Sequence, residues 1–204
     1  MAELTITTFL SLDGIMQAPG GPDEDRSGGF EHGGWLVPFF DGDMMEIMTG
    51  IFERGEAYVL GRGTYEIFAH HWPNVPDDQQ DAIAKKLNAL PKYVATRTLK
   101  SLAWNNSKLL ADVVPEVKEI KARHTGEVQV HGSPGLAQTL IEHDLIDEYR
   151  LLVFPVVVGG GKRLFGAGAK PATMSLVTTR TTSTGAVYQN YRRAGELKTG
   201  MIGT

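Results

Sequence analysis

The sequence predicts a layered α/β fold, and three observations carry that prediction. Short runs rich in Val, Ile, Thr, Tyr and Phe alternate with segments of helical periodicity along the whole 204 residues. Several of the strand-like runs stop abruptly at glycine, or at arginine next to threonine. No linker or internal repeat breaks the alternation, so residues 1–195 are expected to form one domain, with 196–204 a flexible tail.

Taken in order, Leu4 to Leu12 reads as a first strand ending at Asp13-Gly14. The glycine-rich acidic stretch Met16 to Gly34 is either a solvated loop or a lid, since loops this long in compact domains often cover a site. Gly42 to Arg54 has Met44, Met48, Ile51 and Phe52 on one helical face; the methionines read as core filler. Ala57 to Leu60 is a short strand running into GRGTYEIF, where Thr64 is placed to cap a helix holding Tyr65, Ile67 and Phe68. PDDQQDAIAKKLNALP predicts another helix, with Asp77 and Gln80 as a loose capping box and Ile83, Leu87 and Leu90 as its apolar stripe.

Lys92 to Thr96 predicts a strand, and Pro115 to Arg123 a helix with proline in its first turn and Val117 and Ile120 facing inward. Val128 to Tyr149 reads as strand, turn and helix, with Ser133 as N-cap and Pro134 as the first helical residue. Glu148 to Val158 predicts a long strand stopped by three glycines. Ser175–Thr179 and Ala186–Arg192 flank a Ser-Thr-Gly turn and predict a hairpin.

Composition narrows the function classes. Hydrophobic residues make up 42% and charged residues 22%, as in a globular chain with a proper core. The absence of cysteine excludes disulfides, thiolate metal sites and a thiol nucleophile. A net charge of -4 without any basic run gives no reason to expect nucleic acid. No apolar run approaches the ~20 residues that cross a bilayer, and the acidic start lacks the basic region of a signal peptide, so the cytoplasm is the expected location. His70-His71-Trp72 has no carboxylate at ligand spacing and reads as helix-end packing; no metal is expected. Gly159-Gly160-Gly161-Lys162-Arg163 lacks the P-loop pattern.

In open α/β sheets ligands gather where strands end and helices begin. Four junctions here carry suggestive residues: Asp13-Gly14, Gly61-Arg62-Gly63-Thr64, Thr96-Arg97-Thr98 and Gly132-Ser133-Pro134-Gly135. A helix N-terminus offers free N–H groups to an anion, and glycine lets the anion approach closely. The last junction is by itself either a tight turn or a phosphate cradle; the spacing and the position of Asp147-Glu148 do not match a Rossmann fingerprint. Arg62 and Arg97 are each compatible with a solvated strand-end charge. Taken together, the strand ends point to a phosphorylated ligand, because guanidinium groups and threonine hydroxyls suit phosphate.

The segments TTFLSLDGIM, VLGRGTYEIF, LPKYVATRTL, VHGSPGLAQTLIEHDLIDEYRL and PVVVGGGKRLF occur in the order found in dihydrofolate reductase-like proteins. The chain most resembles the reductase domain of bacterial riboflavin deaminase-reductase and its stand-alone relatives, from Thr7 to Phe165. The resemblance implies a three-layer α/β fold with a mostly parallel central sheet, a C-terminal β-hairpin and NADPH as hydride donor. It implies phosphate contacts at Gly61, Arg62, Gly63 and Thr64, and the adenosine side with its 2′-phosphate at Thr96, Arg97 and Thr98. Gly132, Ser133, Gly135 and Leu136 fall on the pyrophosphate turn.

On the substrate side, the first helix offers Asp43 and Glu46 where related reductases carry a catalytic acid; the alternative is that they form a solvated face. His131 stands where riboflavin-pathway reductases carry Glu, and is either a hydrogen-bonding or proton-transfer group or a wall residue. Asp13 is either near the reacting ring or simply turn-forming. Trp35 ends the lid, and Gly159 and Gly160 are expected at the opening, as substrate neighbours. The implied activity is reduction of a flat nitrogen heterocycle, pterin or ribosylamino-pyrimidine-like, by a homodimer whose contact lies near LLVFPVVV. The alternatives are a non-catalytic NADPH-binding or sensing module, or reduction of another aromatic acceptor such as a flavin.

Overall fold

The computed structural model describes residues 1–166 and 169–203. Its centre is an eight-stranded sheet of β1 (Glu3–Ser11), β2 (Gly55–Gly61), β3 (Lys92–Ala95), β4 (Ser107–Leu110), β5 (Glu127–His131), β6 (Glu148–Phe154), β7 (Met174–Thr181) and β8 (Val187–Arg193). The spatial order is β4-β3-β2-β5-β1-β6-β8-β7. The first six strands run parallel, and the β7–β8 hairpin closes the sheet antiparallel to β6. Helices α1 (Gly42–Glu53), α2 (Arg62–His71) and α3 (Ala82–Ala89) pack on one face; α4 (Val113–Arg123) and α5 (Pro134–Glu142) pack on the other. Because β3, β2, β5, β1 and β6 are parallel neighbours, their C-terminal ends all lie along one edge.

The elements follow the predicted order, and the differences have physical causes. Strand β4 has no counterpart in the expectation, because Ser107–Leu110 is a short edge strand with little apolar pattern. Strand β6 stops at Phe154 and not at Val158, since Pro155 has no N–H to continue the ladder. Helix α2 begins directly after Gly61, so Thr64 lies inside its first turn and is not the cap. Helix α3 is capped by Asp81, whose side chain accepts from Ala84 N at 2.8 Å, while Asp77–Gln79 forms a separate 3-10 turn. Gln80 does reach Asp77 Oδ1, at 3.1 Å, but not as part of a helix cap. In the run LLVFPVVV, Leu152 and Phe154 are buried, Leu151, Val153, Val156 and Val158 are half-buried, and Pro155 and Val157 are exposed, the latter at 73%. Residues 196–203 form no helix or strand.

The core is apolar on the α4–α5 face, where Leu4, Ile6, Val128 and Val130 meet Leu136, Ala137 and Leu140. On the α1 face the same strands turn polar side chains inward: Thr5 and Thr7 from β1, Glu127, Gln129 and His131 from β5, Glu148 and Arg150 from β6. Arg150 is 2% exposed, and its guanidinium spans both Glu127 oxygens at 2.6 Å and Glu148 Oε1 at 2.7 Å. Burial alone would raise the Glu127 carboxyl; the guanidinium outweighs it and holds the group below its ordinary range.

Removing one partner of such a cluster leaves charge stranded in the interior. Arg150→Met is therefore expected to lower the unfolding free energy by roughly 3–5 kcal/mol. Arg123→Ala, whose pair with Glu119 is solvated, should lower it by under about 1 kcal/mol. Urea denaturation midpoints compare the two.

Candidate functional site

The expected phosphate-contacting residues meet because β2 and β5 are neighbours. Gly61 ends β2 and is the N-cap of α2; a Cβ there would lie 2.3 Å from Ser133 Cβ, so only glycine fits. Ser133 Oγ lies 2.6 Å from Thr64 Oγ1 and accepts from Thr64 N at 3.4 Å, joining the two strand-to-helix turns. Ser133 is the N-cap of α5 by position, but its hydroxyl makes no cap hydrogen bond. Gly132 and Ser133 both have positive φ, at 64° and 57°. For serine this conformation costs of order 1–3 kcal/mol and persists only where its surroundings enforce it. The first main-chain bond of α5 runs from Ala137 N to Ser133 O. Among the described residues the amides of Gly135 and Leu136, in the first turn, therefore have no main-chain acceptor.

One strand further out, Thr96 Oγ1 accepts from the amides of Thr98 and Leu99 at 3.2 and 3.1 Å, curling the chain after β3. Arg97 is exposed and, among the described residues, has no hydrogen-bond or ion-pair partner. Arg62 makes only a loose pair with Glu66, at 3.8 Å, and Gly63 is exposed beside it. Both guanidinium groups remain available to an anion along the edge.

At the end of β1, Asp13 acts as a clasp. Its carboxylate accepts from Ser11 Oγ at 2.7 Å, from Val158 N at 3.0 Å and from Gly159 N at 2.8 Å. The Ser11 hydroxyl and the two amides hold its pKa at about 2, so it is a carboxylate at neutral pH and has no proton to give. Arg163 bonds to Asp13 O, and Ile15 bridges Arg163, so the turn after β1 and the loop after β6 are closed together. A pocket of ≈ 340 Å³ lies there, lined by Leu10, Leu12, Asp13, Gly14 and residues 163–165. It abuts α5, whose Gln138 donates to Arg163 O and Leu164 O at 3.0 and 2.6 Å.

The glycine-rich stretch is fastened to the same loop. Lys162 Nζ reaches Asp25 Oδ2 at 2.6 Å and Ser27 Oγ at 2.7 Å, and Gln17 bonds Asp25 O, Ser27 O and Lys162 N. A second pocket, of ≈ 430 Å³, opens between Ser27–His32 and Gly160–Lys162. Gly160 lines it, whereas Gly159 is held by Asp13. Trp35 is half-buried: its Nε1 donates to Gln17 O at 2.8 Å and its ring meets Phe154 edge-on at 5.7 Å.

The remaining candidates do not gather at this edge as free groups. Asp43 and Glu46 both pair with Arg180, at 3.1 and 2.8 Å, and Asp43 also accepts from Ser183 N; they dock the β7–β8 hairpin onto α1. His131 is 6% exposed, stacks on Phe52 with centroids 4.3 Å apart, and has Nε2 3.0 Å from Gln129 Oε1. Burial, helped by Arg150, pushes its pKa down to about 3, so the ring is neutral. Sequence reasoning missed Gln129, Glu127 and Arg150 behind it. Their only signal was a polar residue at every second position of a strand flanked by other strands. Among the described residues no group of three or more His, Asp or Glu could hold a metal, and no helix is long and apolar enough to cross a membrane.

With sheet order, hairpin and edge defined, the architecture is that of the dihydrofolate reductase-like class. Residues 2–188 match the model of the RibD C-terminal domain, and the chain belongs to that family. The uncharacterized protein YyaP of Bacillus subtilis strain 168 is 26% identical over 187 residues, covering 91% of this chain and 92% of that one. A protein of Shewanella sp. PV-4 assigned to riboflavin biosynthesis has a similar structure, with TM-score 0.64 and 19% identity over 95% of this chain and 99% of that one. A pyrimidine reductase-like protein of Corynebacterium diphtheriae gives 0.61 at 12% identity, covering 95% and 92%. Dihydrofolate reductase of Enterococcus faecalis, complexed with NADP(H) and RAB-propyl, gives 0.59 at 13% identity, covering 94% and 96%.

The Asp13 clasp has a defined pH dependence. Its folded pKa lies below the ordinary aspartate value of 3.8, so its stabilisation is present above that value and disappears as pH falls through about 2. Asp13→Ala should therefore be less stable than the unsubstituted chain by a constant margin from pH 7 to 5, with the margin vanishing near pH 2. Thermal unfolding of both proteins across that range measures it.

Proposed function

We propose that the chain is an NADPH-dependent reductase of a flat nitrogen heterocycle, pterin or pyrimidine-like. The observation that carries the reading is the Gly61–Ser133 contact, which joins two strand ends into one cradle with free amides at Gly135 and Leu136. The cradle fits a pyrophosphate: it is a helix N-terminus approached by glycine backbone and enforced by strain at Ser133. Arg97 and Arg62 would hold the phosphate groups on the β3 and β2 side, Arg97 taking a 2′-phosphate. The pocket at the end of β1 would receive the other end of the dinucleotide, with Asp13 fixing its wall. When bound, the coenzyme supplies a hydride; the chain orients it, and the segment fastened by Lys162 shields the site from water.

A second reading is favoured by a specific observation. Asp13, Asp43, Glu46 and His131 are all engaged elsewhere, which suits a non-catalytic NADPH-binding or sensing module on the same fold. Steady NADPH oxidation with a pterin, a pyrimidine or a flavin, but not without one, supports the reductase and names its acceptor class. Tight binding with no oxidation in any of them supports the module. Two copies of the chain are proposed to pair, and light scattering in solution tests it.

Arg97→Ala is expected to weaken NADPH about 10- to 100-fold, the worth of a charge-assisted bond of roughly 1.5–3 kcal/mol, and to leave NADH within about twofold. Isothermal titration with both coenzymes checks this; equal weakening of both removes Arg97 from the 2′-phosphate role.

A further inference from the structure

Behind His131 lies a chain of hydrogen bonds whose direction can be read from its far end. Arg150 has only donors, and its guanidinium holds both oxygens of Glu127 at 2.6 Å, so Glu127 is an ionised acceptor. Gln129 Nε2 contacts two groups, Glu127 Oε1 and Ile51 O, the latter at 2.6 Å. Both are acceptors, so this atom of Gln129 must be the amide nitrogen. Reversing the amide would press its oxygen against a carboxylate and a carbonyl in the interior. Gln129 Oε1 therefore faces His131 Nε2, at 3.0 Å, and as an acceptor it requires a proton there.

We infer that Gln129 is a positioning residue that fixes His131 as the tautomer with its proton on Nε2 and its lone pair on Nδ1. The ring is held in plane by Phe52, stacked at an interplanar angle of 6°, with Tyr58 tilted against it at 58°. The charged and titratable groups packed around it are Glu127 on its own strand, Arg150 on β6, Tyr58 on β2 and, beyond Glu127, Arg54 at the end of α1. Thr7, the β1 partner of His131 in the sheet, carries a buried hydroxyl with no hydrogen-bond partner among the described residues. The imidazole proton is thus committed to Gln129, and Nδ1 keeps the ring's acceptor lone pair. One consequence rests on the proposed function: any group of a bound ligand that met Nδ1 would have to be a donor, because the ring has no second proton to give.

Long-range ¹⁵N–¹H NMR of the full chain, labelled in histidine, tests the assignment between pH 5 and 8. The expected spectrum of His131 shows Nε2 protonated and Nδ1 unprotonated at every pH. An imidazolium signal, or a proton on Nδ1, would overturn the inference without any variant. Gln129→Lys presents only donors to the ring, so it should move the proton to Nδ1; retention of Nε2–H in that folded variant shows that the tautomer is set elsewhere and also overturns it. Adding NADPH to the unsubstituted sample separates the two readings. Failure to bind with the Nε2–H spectrum intact sinks the proposed function and leaves the tautomer assignment standing.

Discussion

The site depends on one steric constraint, the absence of a side chain at Gly61. Strands β2 and β5 are hydrogen-bonded neighbours whose chains both turn into helices at the same edge. A Cβ on residue 61 would occupy the position of Ser133. Glycine lets the two turns touch, and once they touch, Thr64 and Ser133 share a hydroxyl hydrogen bond. That contact in turn holds Ser133 at a φ of 57°, which the isolated turn would not keep. Strain at Ser133 and the close approach of the two turns are consequences of the same missing methyl group, and they set the unpaired first-turn amides of α5 beside the end of β2.

A second constraint works from inside. The α1 face of the sheet is interior yet carries two glutamates, a glutamine, a histidine and an arginine. Such a layer is tolerable only when every charge has a partner, and Arg150 supplies it, bridging β5 and β6 across the intervening β1. Its effect passes along the strand, from Glu127 to Gln129 to His131, and ends one residue before the cradle. The same side chains that neutralise the interior thereby determine what the last residue of β5 can donate or accept.

The acids tell a related story about competition for hydrogen bonds. Read along the chain, Asp13, Asp43 and Glu46 are open both to a catalytic role and to a purely structural one. In the fold each is recruited to fasten one element to another: Asp13 joins the ends of β1 and β6, and Asp43 and Glu46 hold the terminal hairpin. A parallel sheet with many elements meeting at one edge needs such clasps, because its loops have few partners of their own.

By itself the sequence determined most of the elements, the family resemblance and the strand ends that lie along one edge of the sheet. Hydrophobic period and glycine punctuation are local properties, written in consecutive residues. Strand β4 escaped notice because a short edge strand needs no apolar pattern, and β6 was overextended because its apolar run continues past the proline that ends the ladder. Only the tertiary structure decided that Thr64 meets Ser133 and does not cap its helix, and that Arg97 has no partner among the described residues while Arg180 does. Only it could show that His131 faces Gln129. The reason is physical: a hydrogen bond depends on which partner lies within about 3 Å, and residues as far apart in the chain as Asp13 and Gly159 become neighbours only once the sheet has formed.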